Sequence, residues 1–148
     1  MAQLSASPKY LQTHEARRRI VLADDHPDML RRVSGMLSPM FEIVAAVSDG
    51  RSAVEAASSL TPDLLLLDIA MPKLDGMHAA LELRQAGCCT RIIFLSMHQE
   101  ADYVAAALET GACGYVFKSR LRADLLVAIE RVLAGSVFIS THSGGHII

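Results

Sequence analysis

Leu64-Leu65-Leu66-Leu67-Asp68-Ile69-Ala70-Met71-Pro72 is the stretch that decides the fold. Four consecutive leucines, with no alternation, read as a strand that is apolar on both faces and sits inside a parallel sheet. The run ends in a carboxylate. A bare charge is costly in a sheet interior, so Asp68 belongs at the strand's C-terminal tip, where open α/β sheets do their chemistry. Pro72 has no N–H for a ladder and stops the strand.

Working outward, the same unit recurs. Ile20-Val21-Leu22-Ala23 is a short apolar strand ending in Asp24-Asp25, and Pro27 suits the first turn of a helix carrying Leu30, Val33 and Leu37. Residues 42–47 form a second strand, followed by a small-residue helix with Ala53, Val54, Ala57 and Leu60. After the leucine run come a helix ending at Gly87, the strand Ile92-Ile93-Phe94-Leu95 closed by Ser96, and a helix from about Ala101 to Thr110. Gly114-Tyr115-Val116-Phe117 is the fifth strand and runs into Lys118. A last helix spans Leu121 to Ala134, and Gly135 closes it. Strict alternation of strand and helix implies a doubly wound α/β fold with a five-stranded parallel sheet. The expected organisation is a tail over residues 1–17, one domain over 18–135, and a linker or tail over 136–148. Within that last segment Val137-Phe138-Ile139 is β-like, and the Ser/His/Gly-rich end reads as unstructured.

Composition bounds the function. Hydrophobic residues make up 51% of the 148, enough for a full core in one domain. A net charge of −2 gives no general electrostatic reason to bind nucleic acid. Three cysteines, two of them vicinal, make a poor disulfide framework and fit a reducing compartment. There is no signal-peptide pattern and no apolar run of the roughly 18 residues a membrane span needs. A cytoplasmic protein without membrane contact is expected. Arg17-Arg18-Arg19 reads as a solvated strand entry.

Parallel strands bring their C-terminal ends to one rim, so Asp24, Asp25, Asp68, Ser96 and Lys118 should converge. Three packed carboxylates repel, and a bound cation is the natural remedy. An oxygen-only set suits Mg²⁺, with His26 and His98 only at the rim. Asp25 and Asp68 are the candidate direct ligands, Asp24 a ligand through water or by charge, and the Ala70 backbone carbonyl a further donor. An ionised aspartate is a competent covalent nucleophile. With Lys118 as a point charge on the incoming oxygens and Ser96 as a hydroxyl donor, Asp68 would become an acyl phosphate. Each residue alone has an ordinary use: an Asp-Asp pair as a turn or cap, Lys118 as a solvated lysine, Asp75-Gly76 as a turn. The combination, with one group at each successive strand end, is much less expected by chance.

With these residues in place, the chain resembles the receiver domain of bacterial two-component response regulators. The resemblance covers residues 18–135 and rests on Asp24-Asp25, Asp68 with Met71-Pro72 and Asp75-Gly76, Leu95-Ser96, and residues 111–118 ending in Lys118. It implies a flavodoxin-like sheet of order 2-1-3-4-5. It implies phosphorylation of Asp68 by a sensor histidine kinase, with Mg²⁺ held at Asp24, Asp25, Asp68 and the Ala70 carbonyl, and a switch formed by Ser96 and Tyr115. Asp24-Asp25-His26-Pro27, Leu95-Ser96-Met97-His98 and Lys118-Ser119 are similar to receivers that precede a LuxR-type helix-turn-helix. Many receivers have proline after this lysine; here Ser119 stands there and is expected to cap the last helix.

Two-component signalling is thus the leading expectation: a phospho-acceptor rather than a classical enzyme, switching the surface of its fourth helix, fifth strand and fifth helix. No basic helix-turn-helix segment follows residue 135, so DNA would be reached only through a missing output domain. The alternatives are a single-domain receiver acting as a phosphate shuttle and a phosphate-independent docking module. A homodimer on phosphorylation is compatible with either receiver reading. An aspartyl-phosphate hydrolase would want an acid two residues after the nucleophile, where this chain has Ala70.

Overall fold

The computed structural model describes residues 17–142 and 144–147. The leucine run is strand β3 (Leu64–Asp68), buried along its whole length. It lies between β1 (Arg19–Ala23) and β4 (Arg91–Ser96) and is parallel to both. β2 (Glu42–Val47) pairs outside β1, and β5 (Gly114–Phe117) outside β4, which gives the expected order 2-1-3-4-5. Helices α1 (Pro27–Leu37), α2 (Gly50–Leu60), α3 (Gly76–Gln85), α4 (Ala101–Glu109) and α5 (Leu121–Leu133) make the crossovers.

The sheet does not stop at five strands. β6 (Phe138–Thr141) pairs parallel to β5, and β7 (Gly144–Ile147) pairs antiparallel to β6, for seven strands among the described residues. This corrects the five-stranded expectation and the unstructured end. Gly144–Ile147 pairs back on β6, and the backbone groups of the two strands satisfy one another in spite of weak strand propensity. The tail expected over residues 1–17 lies outside the described residues except for Arg17.

The period-two alternation of each strand feeds two separate cores. Val21, Leu65, Leu67, Phe94 and Tyr115 pack toward α2, α3 and α4. Ile20, Leu22, Leu64, Leu66, Ile93 and Val116 pack toward α1 and α5. The four leucines of β3 are at most 1% exposed, each worth roughly 1.5–3 kcal/mol of burial. That burial anchors the strand whose tip carries Asp68.

The Arg17-Arg18-Arg19 run is more than solvated. Arg17 donates to the Ser38 and Pro39 carbonyls beyond α1, and Arg19 to the Leu60 carbonyl at the end of α2. Both arginines satisfy carbonyls that a helix end leaves without partners. Among the described residues, no helix is long and apolar enough to cross a membrane.

Candidate functional site

Asp24 follows β1 directly, and Asp68 is the last residue of β3, so the parallel register sets them side by side. Both are buried, at 4% and 5% exposure. Lys118 opens a three-residue 3₁₀ turn, Lys118–Arg120, at the end of β5. Its ammonium reaches back to lie 2.8 Å from Asp24 Oδ2 and 3.4 Å from Asp68 Oδ1. Asp68 Oδ1 also accepts the Ile69 N–H at 2.8 Å. Burial and the neighbouring Asp24 charge push the Asp68 carboxyl above the ordinary carboxylate range, and Lys118 opposes them.

Ligand atoms of Asp24, Asp25, His26 and Asp68 all lie within 4.8 Å of one another. Two buried oxygens there have no aligned hydrogen-bond donor: Asp24 Oδ2 and Asp25 Oδ1. The Lys118 ammonium is close to the first, and His26 Nδ1 lies 3.1 Å from the second, without hydrogen-bond alignment in either case. Unsatisfied buried acceptors are costly, and three carboxylates with open lone pairs are the donor set a hard divalent cation takes. The residues present therefore fit Mg²⁺. Ala70 lies two residues past Asp68 in an exposed loop.

Ser96 ends β4 at 1% exposure and accepts the His98 N–H at 3.0 Å. Tyr115 is fully buried, and its hydroxyl donates to the His98 carbonyl at 2.8 Å. Burial raises the Tyr115 phenol above its ordinary range. His98 thus joins Ser96 and Tyr115 through its backbone, while its ring stacks on Tyr103.

The helix after the site is docked by Asp75-Gly76, read from sequence as a turn. Asp75 caps α3 by accepting the His78 N–H. Gly76 donates to the Ile69 carbonyl at 2.7 Å, and a Cβ on it would stand 2.1 Å from the Asp68 carbonyl oxygen. Only glycine allows that approach. Ser119 does not cap α5; its hydroxyl accepts from Gln99 Nε2, and Arg120 takes the cap position. His26 lies closer to the cluster than its sequence position suggested. Its backbone N–H donates to Asp24 Oδ1 at 2.9 Å, and Nδ1 is 3.1 Å from both Asp24 and Asp25. The His-Pro step that starts α1 was the available signal. A cavity of about 660 Å³, lined in part by Arg18, Asp63, Cys88 and Arg91, lies at the opposite rim and has none of these groups.

Comparison with known proteins agrees with this arrangement. Residues 20–130 match the response regulator receiver domain family. The chain belongs to that family. It is 37% identical over 130 residues to the transcriptional regulatory protein DegU of Brevibacillus brevis, covering 86% of this chain and 55% of that one. It is also 37% identical over 123 residues to the nitrate/nitrite response regulator protein NarL of Escherichia coli K12, with coverages of 82% and 57%. This receiver therefore spans little more than half the length of these curated relatives. Among solved structures, it resembles a LuxR-family two-component response regulator from Aurantimonas at a TM-score of 0.76 and 34% identity, covering 86% of this chain and 91% of that one. It resembles the signal receiver domain of the putative response regulator NarL from Mycobacterium tuberculosis at 0.73 and 32%, with coverages of 80% and 98%. The chain is a two-component receiver of the kind found in LuxR-type regulators.

Proposed function

We propose that this receiver takes a phosphoryl group from a sensor histidine kinase onto Asp68. The observation that carries the reading is the placement of the Lys118 ammonium between Asp24 and Asp68 in a buried acidic cluster. Ile69 N–H and Lys118 engage Asp68 Oδ1, which leaves Oδ2 to attack phosphorus. A new Oδ2–P bond forms as the bond from phosphorus to the donor nitrogen breaks, and the donor imidazole leaves with that electron pair. Lys118 sits where it meets the oxygens of the transferring group. Asp24, Asp25 and Asp68, with the Ala70 carbonyl, would hold Mg²⁺. When bound, the ion neutralises charge on the phosphoryl oxygens.

The added charge then biases the neighbouring surface. Ser96 swings toward a phosphoryl oxygen to donate its hydroxyl there, and the movement of Oγ, not the donation itself, takes it from the His98 N–H and loosens the His98 carbonyl that holds Tyr115. The readout is carried by α4, β5 and α5, with transcription controlled through a DNA-binding output domain, a reading supported by the similarity to DegU, named a transcriptional regulatory protein. The reaction leaves the chain phosphorylated rather than turning over a substrate. Incubation with a small phosphodonor and Mg²⁺ should add one phosphoryl group by intact mass, and Asp68→Asn should add none. Equal labelling of the two proteins would overturn the assignment.

A further inference from the structure

One buried carboxylate outside the acidic cluster has no part in the chemistry described so far. Asp124, on the first turn of α5, is 3% exposed. Its Oδ2 accepts from the Ser140 hydroxyl at 2.6 Å and from Arg120 Nε at 3.0 Å, and its Oδ1 accepts from Arg120 Nη2 at 3.3 Å. Ser140 is 2% exposed and comes from β6, sixteen residues further along the chain. The same hydroxyl accepts the Phe117 N–H at 3.1 Å. One serine oxygen thus donates once and accepts once, which fits its inventory.

The two ends of this network are the two flanks of one turn. Phe117 immediately precedes Lys118, and Arg120 closes the Lys118–Arg120 turn. Both flanks converge on a single oxygen, Asp124 Oδ2, directly on one side and through Ser140 on the other. The β5–β6 ladder ends at Tyr115↔Ile139, so Phe117 has lost its backbone partner on that side and takes the serine hydroxyl instead. The network fixes the backbone from which the Lys118 side chain extends.

We infer that Asp124 and Ser140 are positioning residues for Lys118, a clamp by which strand β6 sets the reach of the ammonium toward Asp68. The inference rests on the phospho-acceptor reading above. The Lys118 side chain is 6% exposed and paired at its tip with Asp24 and Asp68, so its stem has little room to absorb a shift of its Cα. Displacing a charge by about 1 Å from the reacting atoms can cost up to about a hundredfold in rate. The clamp's hydrogen bonds run to Phe117 and Arg120 and none of them to Asp24, Asp25 or Asp68, so its loss should spare the carboxylates themselves.

The test uses the full chain with Mg²⁺ and acetyl phosphate as phosphodonor, the rate of Asp68 labelling being read by intact mass. Mg²⁺ affinity is measured in parallel by calorimetry. Ser140→Ala should label about tenfold more slowly with unchanged Mg²⁺ affinity, and Ser140→Thr, which keeps the hydroxyl, should recover most of the rate. Arg120→Met acts on the other flank, from a side chain 27% exposed, and should slow labelling about threefold. It decides the matter if Ser140→Ala does not fold. Wild-type rates in the folded variants overturn the clamp. So does a fall in rate matched by a fall in Mg²⁺ affinity, which marks general loosening. If the wild type is never labelled, the phospho-acceptor reading fails first, and the clamp has nothing to position.

Discussion

Replacing Lys118 with methionine keeps the apolar stem and removes the charge. In the protein, that charge is 6% exposed and faces Asp24 at 2.8 Å and Asp68 at 3.4 Å. With an effective dielectric near 20, the two attractions are gross values of about 6 and 5 kcal/mol. Desolvation of the ions offsets much of this, and breaking a buried pair by removing one partner typically costs about 3–5 kcal/mol. Protonation of Asp68, already favoured by burial, holds the cost toward the lower end. For a chain of 148 residues each kcal/mol shifts the melting temperature by about 2–4 °C, so Lys118→Met should melt roughly 6–20 °C below wild type in EDTA. Saturating Mg²⁺ should narrow the gap, because a divalent ion compensates the same carboxylates. Asp24→Asn added to Lys118→Met should also recover stability, since it removes the carboxylate left without a counter-charge. Thermal melts by circular dichroism, with EDTA and with Mg²⁺, measure all three. If Lys118→Met melts within about 2 °C of wild type in EDTA, less than 1 kcal/mol is at stake and the charge balance described for the site is wrong.

Four further outcomes follow from the structure. Gly76→Ala should cost about 1–3 kcal/mol and slow phosphodonor labelling, since its Cβ would collide with the Asp68 backbone. Gly35→Ala, in open space inside α1, should instead stabilise by about 0.5–1 kcal/mol, and paired urea titrations distinguish the two. The raised Asp68 pKa means that the unfolded chain loses this proton first as pH rises. In EDTA, stability should therefore fall as pH climbs from the ordinary carboxylate value through the raised one, then level off; Asp68→Asn should lack that component, and urea melts from mildly acidic to neutral pH would show it. Tyr115→Phe should lose about 1 kcal/mol with the bond to His98, or about 2–4 °C of melting temperature, while leaving Mg²⁺ affinity at the wild-type value.

What sequence could and could not reveal divides along physical lines. Leu64–Asp68 was legible because four leucines closed by a charge admit one economical placement, and parallel topology then brings Asp24, Asp68 and Lys118 together. Ser140 was illegible. A serine after Val137-Phe138-Ile139 reads as the end of an apolar patch, and nothing in hydropathy marks it as buried against Asp124. Gly144 and Gly145 are poor strand formers on their own, and pairing with β6 overrides their propensity. Ser119 had the right chemistry for a cap, but the 3₁₀ turn puts Arg120 at that position and directs the Ser119 hydroxyl to Gln99. In each miss the deciding partner is supplied by tertiary contact.

The β6–β7 pair beside β5 changes what that flank offers to other molecules. A peptide seeking to lengthen the sheet by strand addition finds β5's hydrogen-bonding groups already taken and must start from β7. The bare main chain this flank presents is therefore that of β7, two strands out from the one that leads into Lys118.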